Sequence, residues 1–89
     1  MDKMQEGITG TVRSMSALLR ESQGDVGNLL GLSPVTVAQR LNGRLEWSLR
    51  DVTKLCEHYG LTFDELTAGP LGWLKAARQG GASSGVNHL

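Results

Sequence analysis

Read for the spacing of its apolar residues, the chain falls into short segments that each repeat at helical intervals. Ile8, Val12, Met15, Leu18 and Leu19 follow i, i+4, i+7, i+10 and i+11, the stripe of an amphipathic helix. Gly10 weakens its start, so the firm part is predicted over about 11–21. Val26, Leu29 and Leu30 form the inward face of a second helix, which Gly31 stops. Its start reads as a Ser22/Asp25 capping box, preferred over a reading in which Gly24 ends the first helix and Asp25 is the cap. A third helix is predicted over 34–42. A fourth opens at Ser48 with Asp51 at the box position and a Trp47–Val52 staple. Its buried stripe would be Leu49, Val52, Leu55, Cys56 and Tyr59, with Gly60 as its end. Thr62 and Glu65 box a short fifth helix to about 68, with Leu61 and Leu66 as its staple. Gly69-Pro70 breaks the chain, and Leu71, Leu74 and Ala77 suggest a sixth, short helix. The closing GGASSGVNHL has no apolar period and is expected to be disordered. No segment carries a strand pattern. The expected fold is all-α, with five short helices in a domain over 1–69, then a C-terminal helix and tail over 70–89.

The stretch LSPVTVAQRLNG, residues 32–43, has the strongest start signals of all. Ser33 can cap a helix by accepting from an orphan backbone N–H in the first turn. Pro34 then stands at the first helical position, where its missing N–H costs nothing. Leu32 and Val37 have staple spacing, and Gly43 accepts the left-handed conformation that ends a helix. Between these ends lie Thr36, Gln39 and Arg40, polar groups with no evident intrachain partner. A helix fixed so firmly while its polar face is left open suggests that the face serves another molecule.

Composition narrows what that molecule can be. Eighty-nine residues at 39% hydrophobic make one small domain with few aromatics. A single cysteine forbids an intrachain disulfide and suits a reducing compartment. No apolar run approaches the roughly 20 residues of a membrane span, and the first ten residues lack the apolar block of a signal peptide. A cytoplasmic protein without membrane contact is expected. Nine basic and nine acidic side chains cancel, which argues against a nonspecific polyelectrolyte binder. The charge is nonetheless uneven: residues 33–45 hold Arg40 and Arg44 and no acid, whereas Glu57, Asp64 and Glu65 cluster further along.

The second helix, the turn Gly31-Leu32-Ser33 and the third helix have the spacing of a helix-turn-helix unit. QGDVGNLLGLSPVTVAQRLNGR, residues 23–44, resembles the helix-turn-helix of the Xre family, which includes phage repressors and Cro proteins. SLRDVTKLCEHYGLTFDEL, residues 48–66, resembles that family's fourth and fifth helices, so the likeness covers roughly 11–68. The VxxRLNGR form is similar to versions from actinobacteria and their phages. The resemblance implies a repressor-like five-helix domain whose third helix enters the major groove of double-stranded DNA, commonly as a two-fold homodimer. It places Gln23, Ser33, Pro34, Val35, Thr36, Gln39, Asn42 and Arg44 at positions that meet DNA. The chemistry agrees: Gln39 can pair with adenine N6 and N7, while Val35 and the Thr36 methyl, with Pro34 beside them, can touch thymine methyls. Gln23, Ser33, Asn42 and Arg44 are expected at phosphate, aided by backbone amides at the two helix N-termini. Arg40 departs from the family, which often has an apolar residue there; Leu41 takes the buried role, leaving Arg40 for phosphate or solvent. Gly27 stands where the family usually has alanine, and satisfies the same need for a small residue at a close helix crossing.

Other candidates have simpler explanations. Cys56 and His58 are two apart on a helix and point in different directions, so a thiol–imidazole pair is not expected and Cys56 reads as structural. His88 joins no definable site, and no metal or cofactor is expected. Trp47 could stack on bases, but its staple position favours packing. Leu71, Trp73 and Leu74 are the candidate dimer contacts. No nucleophile–base set appears, and the chain is expected to be non-enzymatic. Within these bounds the expectation is a sequence-specific transcriptional regulator of phage or prophage type, Cro-like or repressor-like. The alternatives are an antitoxin that also grips a toxin, and a protein-interaction module without DNA binding.

Overall fold

The computed structural model describes residues 2–70. The predicted sixth helix, with Leu71, Trp73 and Leu74, and the tail over 80–89 lie outside the described residues. Within them the fold is all-α: α1 (Lys3–Leu18), α2 (Gln23–Leu30), α3 (Pro34–Leu41), α4 (Leu49–Tyr59) and α5 over residues 63–70. None of these helices is long and apolar enough to cross a membrane.

The ends of α2 and α4 are built alike. Each opens with a complete capping box, Ser22 with Asp25 and Ser48 with Asp51. In each the serine hydroxyl accepts from the aspartate N–H while the carboxylate accepts from the serine N–H. Each closes on a left-handed glycine, Gly31 at φ 72° and Gly60 at φ 66°. The glycine N–H and the one after it converge on a single carbonyl, Gly27 in α2 and Cys56 in α4. The α5 box forms as expected, with Thr62 N donating to Glu65 and Glu65 N to Thr62.

The first helix differs most from expectation. It starts at Lys3, not near residue 11, because Asp2 caps it by accepting from Gln5 N at 2.8 Å. Gly7 and Gly10 do not weaken the start; they allow α5 to approach. A Cβ on Gly7 would lie 1.8 Å from the Thr67 carbonyl oxygen, and one on Gly10 would lie 2.7 Å from Pro70 Cδ. The helix also ends early, at Leu18, since Arg20 turns left-handed at φ 57° and Glu21 N bonds back to Ser16 O. Leu18 and Leu19 are consequently exposed rather than inward. The buried face is Gln5, Ile8, Thr11 and Val12.

Ile8, Val12, Val26, Leu30, Val37, Trp47, Val52, Leu55, Tyr59 and Leu66 form one core. At roughly 25 cal/mol per Å² of apolar surface removed from water, this cluster supplies the main drive for folding. Leu49 is not part of it, being 78% exposed. It occupies the first position of α4, and the buried Trp47 fills that end of the core instead. Gly27 meets the need for a small residue, since a Cβ there would lie 2.4 Å from the Leu32 carbonyl oxygen. That close approach lets α2 pack on α3, the most extensive helix pairing in the fold.

Candidate functional site

The third helix has three distinct sides, and their order follows from a step of roughly 100° per residue. Val37 is fully buried and Leu41 packs beside it, forming the side that faces the core. Thr36 and Arg40 lie on a flank. Pro34, Val35, Ala38, Gln39 and Asn42 make the third side, which borders an open depression of about 390 Å³. Gln23, from the first turn of α2, and Arg44, just past α3, complete its rim.

The pose of α3 is fixed at both ends by short hydrogen bonds. Ser33 caps it by accepting from Thr36 N at 3.2 Å, and Pro34 takes the first position. At the other end the exposed carbonyls are all engaged. Leu41 O accepts from the Arg13 guanidinium at 3.1 Å, reaching across from α1. Gln39 O accepts from Arg44 N and Leu45 N, and Arg40 O accepts from Gly43 N, with Gly43 at φ 84°. Asn42 Oδ1 also accepts from Arg44 N, at 3.0 Å. The loop that carries Arg44 is therefore tied to the helix it follows.

Most of the residues expected from sequence share this one surface: Gln23, Pro34, Val35, Gln39, Asn42 and Arg44. Ser33, Thr36 and Arg40 stand outside the lining. Ser33 is occupied as the cap, and its hydroxyl lies 3.1 Å from that of Thr36, so Thr36 faces the helix start rather than the depression. Arg40 requires a larger correction. It is neither a phosphate-binding group on the open face nor a solvated cation. Its Nε makes an ion-pair contact with Asp51 Oδ2 at 2.8 Å, and its terminal nitrogen donates to Glu46 O at 2.6 Å. The side chains of Arg40 and Asp51 are 15% and 4% exposed. Asp51 thus serves two elements, capping α4 and holding α3. Ala38 is a lining residue that pattern reading passed over. Its only signal was position, four after Pro34 and three after Val35.

The chemistry of this surface is that of a neutral apolar and amide face with one cation at its edge. Val35 is 67% exposed, as is Leu18, and Leu49 is more so. Gln23 and Gln39 offer amides that both donate and accept. Elsewhere, Trp47 is a core residue whose indole N–H donates to Thr9 Oγ1 at 2.9 Å, which fits packing rather than base stacking. Burial, followed by the charges of Glu57 and Glu65, pushes the Cys56 thiol above its ordinary pKa, the opposite of activation. His58 instead contacts Glu21, which also accepts from Tyr59 Oη at 2.8 Å. Among the described residues no cluster of three potential metal ligands occurs. Comparisons with protein-family models, with curated proteins and with solved structures give no match.

Proposed function

We propose that the chain is a sequence-specific DNA-binding transcriptional regulator of the Xre helix-turn-helix type, Cro-like or repressor-like, from a phage or prophage. In this reading α3 lies in the major groove and occupancy of an operator blocks transcription. The observation that supports it most is the open side of α3. Its Gln39 amide and its apolar groups have no hydrogen-bond partner among the described residues, while caps, carbonyl contacts and the Arg40–Asp51 pair all hold the helix in place. The protein would work in the cytoplasm and bind paired half-sites as a homodimer, with equivalent helices about 34 Å apart. Gln39 reads a base edge, Val35 touches base methyls, and Gln23, Asn42, Arg44 and the amides around Ser33 meet the phosphate backbone.

Binding of Gln39→Ala and Arg44→Ala to a selected duplex and to its scrambled counterpart, at several salt concentrations, tests the reading. Loss of Gln39 should weaken the selected duplex by roughly 1–3 kcal/mol and relax preference at one base pair. Loss of Arg44 should weaken both duplexes about equally and lower the salt slope by about one unit per monomer. If Gln39→Ala weakened both duplexes alike, α3 would not be the reading helix. If the unaltered protein had no salt-dependent affinity for duplex DNA, the function would be wrong.

A further inference from the structure

Arg13 belongs to α1, yet its side chain works at the far end of α3. Its terminal nitrogen donates to Leu41 O at 3.1 Å, and only that one nitrogen is engaged. The residue is exposed, stands outside the lining of the depression, and makes no ion pair among the described residues. Its neighbours three and four positions away on α1 are Thr9, Gly10, Ser16 and Ala17, so no acid of its own helix holds it. Arg40 differs, since its charge is spent on Asp51 inside the fold. Arg44 is held to the same end of α3, where its backbone N–H donates to Gln39 O and to Asn42 Oδ1. Two cations without an ion pair among the described residues thus attach to one helix terminus, from α1 and from the turn past α3.

We propose that Arg13 is a phosphate-binding residue, gripping a backbone phosphate distinct from the one that Arg44 meets. The proposal rests on the DNA-binding reading above and extends its footprint from α3 to α1. The eight residues of α3 span about 12 Å, close to the width of the major groove, so its C-terminal end comes near one wall. That end carries roughly half a negative charge from its aligned carbonyls, which repels the phosphates of the wall. A guanidinium seated on Leu41 O reverses the sign there, and its remaining N–H groups stay open to phosphate oxygens. Because Arg13 is rooted in α1, its grip ties the body of the domain to the duplex, independently of the reading helix.

The test uses the full chain, a duplex that it selects from a random-sequence library, and a scrambled duplex. Arg13→Gln removes the charge, with Arg13→Ala as a second neutral variant, and Arg13→Lys keeps it; thermal unfolding checks that each is folded. In the neutral variants the salt slope should fall by about 0.9 per monomer on both duplexes. The advantage of the unaltered protein should then shrink about 3.5-fold per monomer between about 50 and about 200 mM salt. Arg13→Lys should retain the slope. Single phosphates of the selected duplex are next replaced by uncharged methylphosphonates. One such replacement should weaken the unaltered protein and Arg44→Ala, yet leave Arg13→Gln indifferent. Loss of affinity for the selected duplex alone, at an unchanged salt slope, would show that Arg13 only braces α3 and would overturn the proposal. So would a slope lost equally in Arg13→Lys, or a scan in which no phosphate became silent. If the unaltered protein showed no salt-dependent affinity for either duplex, the DNA-binding reading itself would fall, and this proposal with it.

Discussion

Arg40 and Asp51 meet at 2.8 Å across the space between α3 and α4, and Asp51 is at the same time the box residue of α4. One carboxylate thus fixes the start of one helix and the flank of another. Exposed pairs contribute about 0–1 kcal/mol, whereas removing one partner of a fully buried pair costs about 3–5 kcal/mol. With Arg40 15% and Asp51 4% exposed, Arg40→Met should fall between these limits, about 2 kcal/mol by urea unfolding. Arg40→Lys should recover little of it, because an ammonium cannot reach both Asp51 and Glu46 O as the planar fork does. Full recovery by lysine would mean that charge alone, not geometry, is what matters there.

The glycines allow a test in which the sign of the effect is the result. Gly7→Ala gains up to about 1 kcal/mol of helix propensity, yet its Cβ meets a backbone carbonyl that cannot swing aside. Overpacking of this kind costs roughly 1–3 kcal/mol, so a net loss of stability is expected. Gly24→Ala also lies within a helix, but its nearest neighbour is Ser22 Oγ at 3.6 Å, ordinary contact. That variant should gain about 0.4–1 kcal/mol. Thermal unfolding of both variants checks the pair, and equal signs would contradict the crossing of α1 and α5.

These glycines also mark where sequence reading stopped working. The helices α2, α3 and α4 were legible because their ends carry local chemistry: serine caps, box aspartates and terminal glycines lie within a few residues of one another. Gly7 and Gly10 look like helix breakers locally, and only the distant Thr67 and Pro70 explain them. Arg20 ends α1 in a left-handed conformation with no glycine to announce it. In the candidate site, Gln23, Val35, Gln39, Asn42 and Arg44 came from the family resemblance, and the structure groups them along one depression. The direction of Arg40 was not legible, since its partner lies eleven residues further on, on another helix.

Gln5 is a second long-range tie that apolar spacing could not reveal. Its side-chain amide pairs with both polar groups of the Trp47 peptide, accepting from Trp47 N at 2.6 Å and donating to Trp47 O at 3.1 Å. All of these groups are buried, so Gln5→Ala strands a donor and an acceptor away from water. A cost of roughly 1–3 kcal/mol for each group left unsatisfied is expected. The loss should appear in urea unfolding, together with a change in tryptophan emission as the Trp47 segment loosens. A loss below about 0.5 kcal/mol would mean that water takes over both bonds.

Tyr59 makes the stability of the fold depend on alkaline pH. Its hydroxyl is held by Glu21 Oε1 at 2.8 Å at the edge of the core. Burial raises its pKa first, and the hydrogen bond to Glu21 and that carboxylate's charge raise it further, well above the ordinary value of 10.0. The native chain therefore keeps a proton that the unfolded chain loses above pH 10.0, so stability falls as pH rises past that value. Below it this contribution is fully present. Tyr59→Phe should be less stable near neutral pH by about 0.5–1.5 kcal/mol, the net worth of one hydrogen bond. The gap between the two proteins should narrow as pH climbs above 10.0, because only the tyrosine form has this proton to lose. The Cys56 thiol, also raised by burial, adds a loss of the same sign, but it is common to both proteins and cancels in the difference. Tyr59 is the chain's single tyrosine, so phenolate absorbance follows its ionisation directly. Titration of the folded protein at the free-phenol value, with a stability gap that stayed constant from about pH 8.5 to about 11.5 (roughly one and a half units either side of the free phenol), would show that the Glu21 contact does not hold the proton.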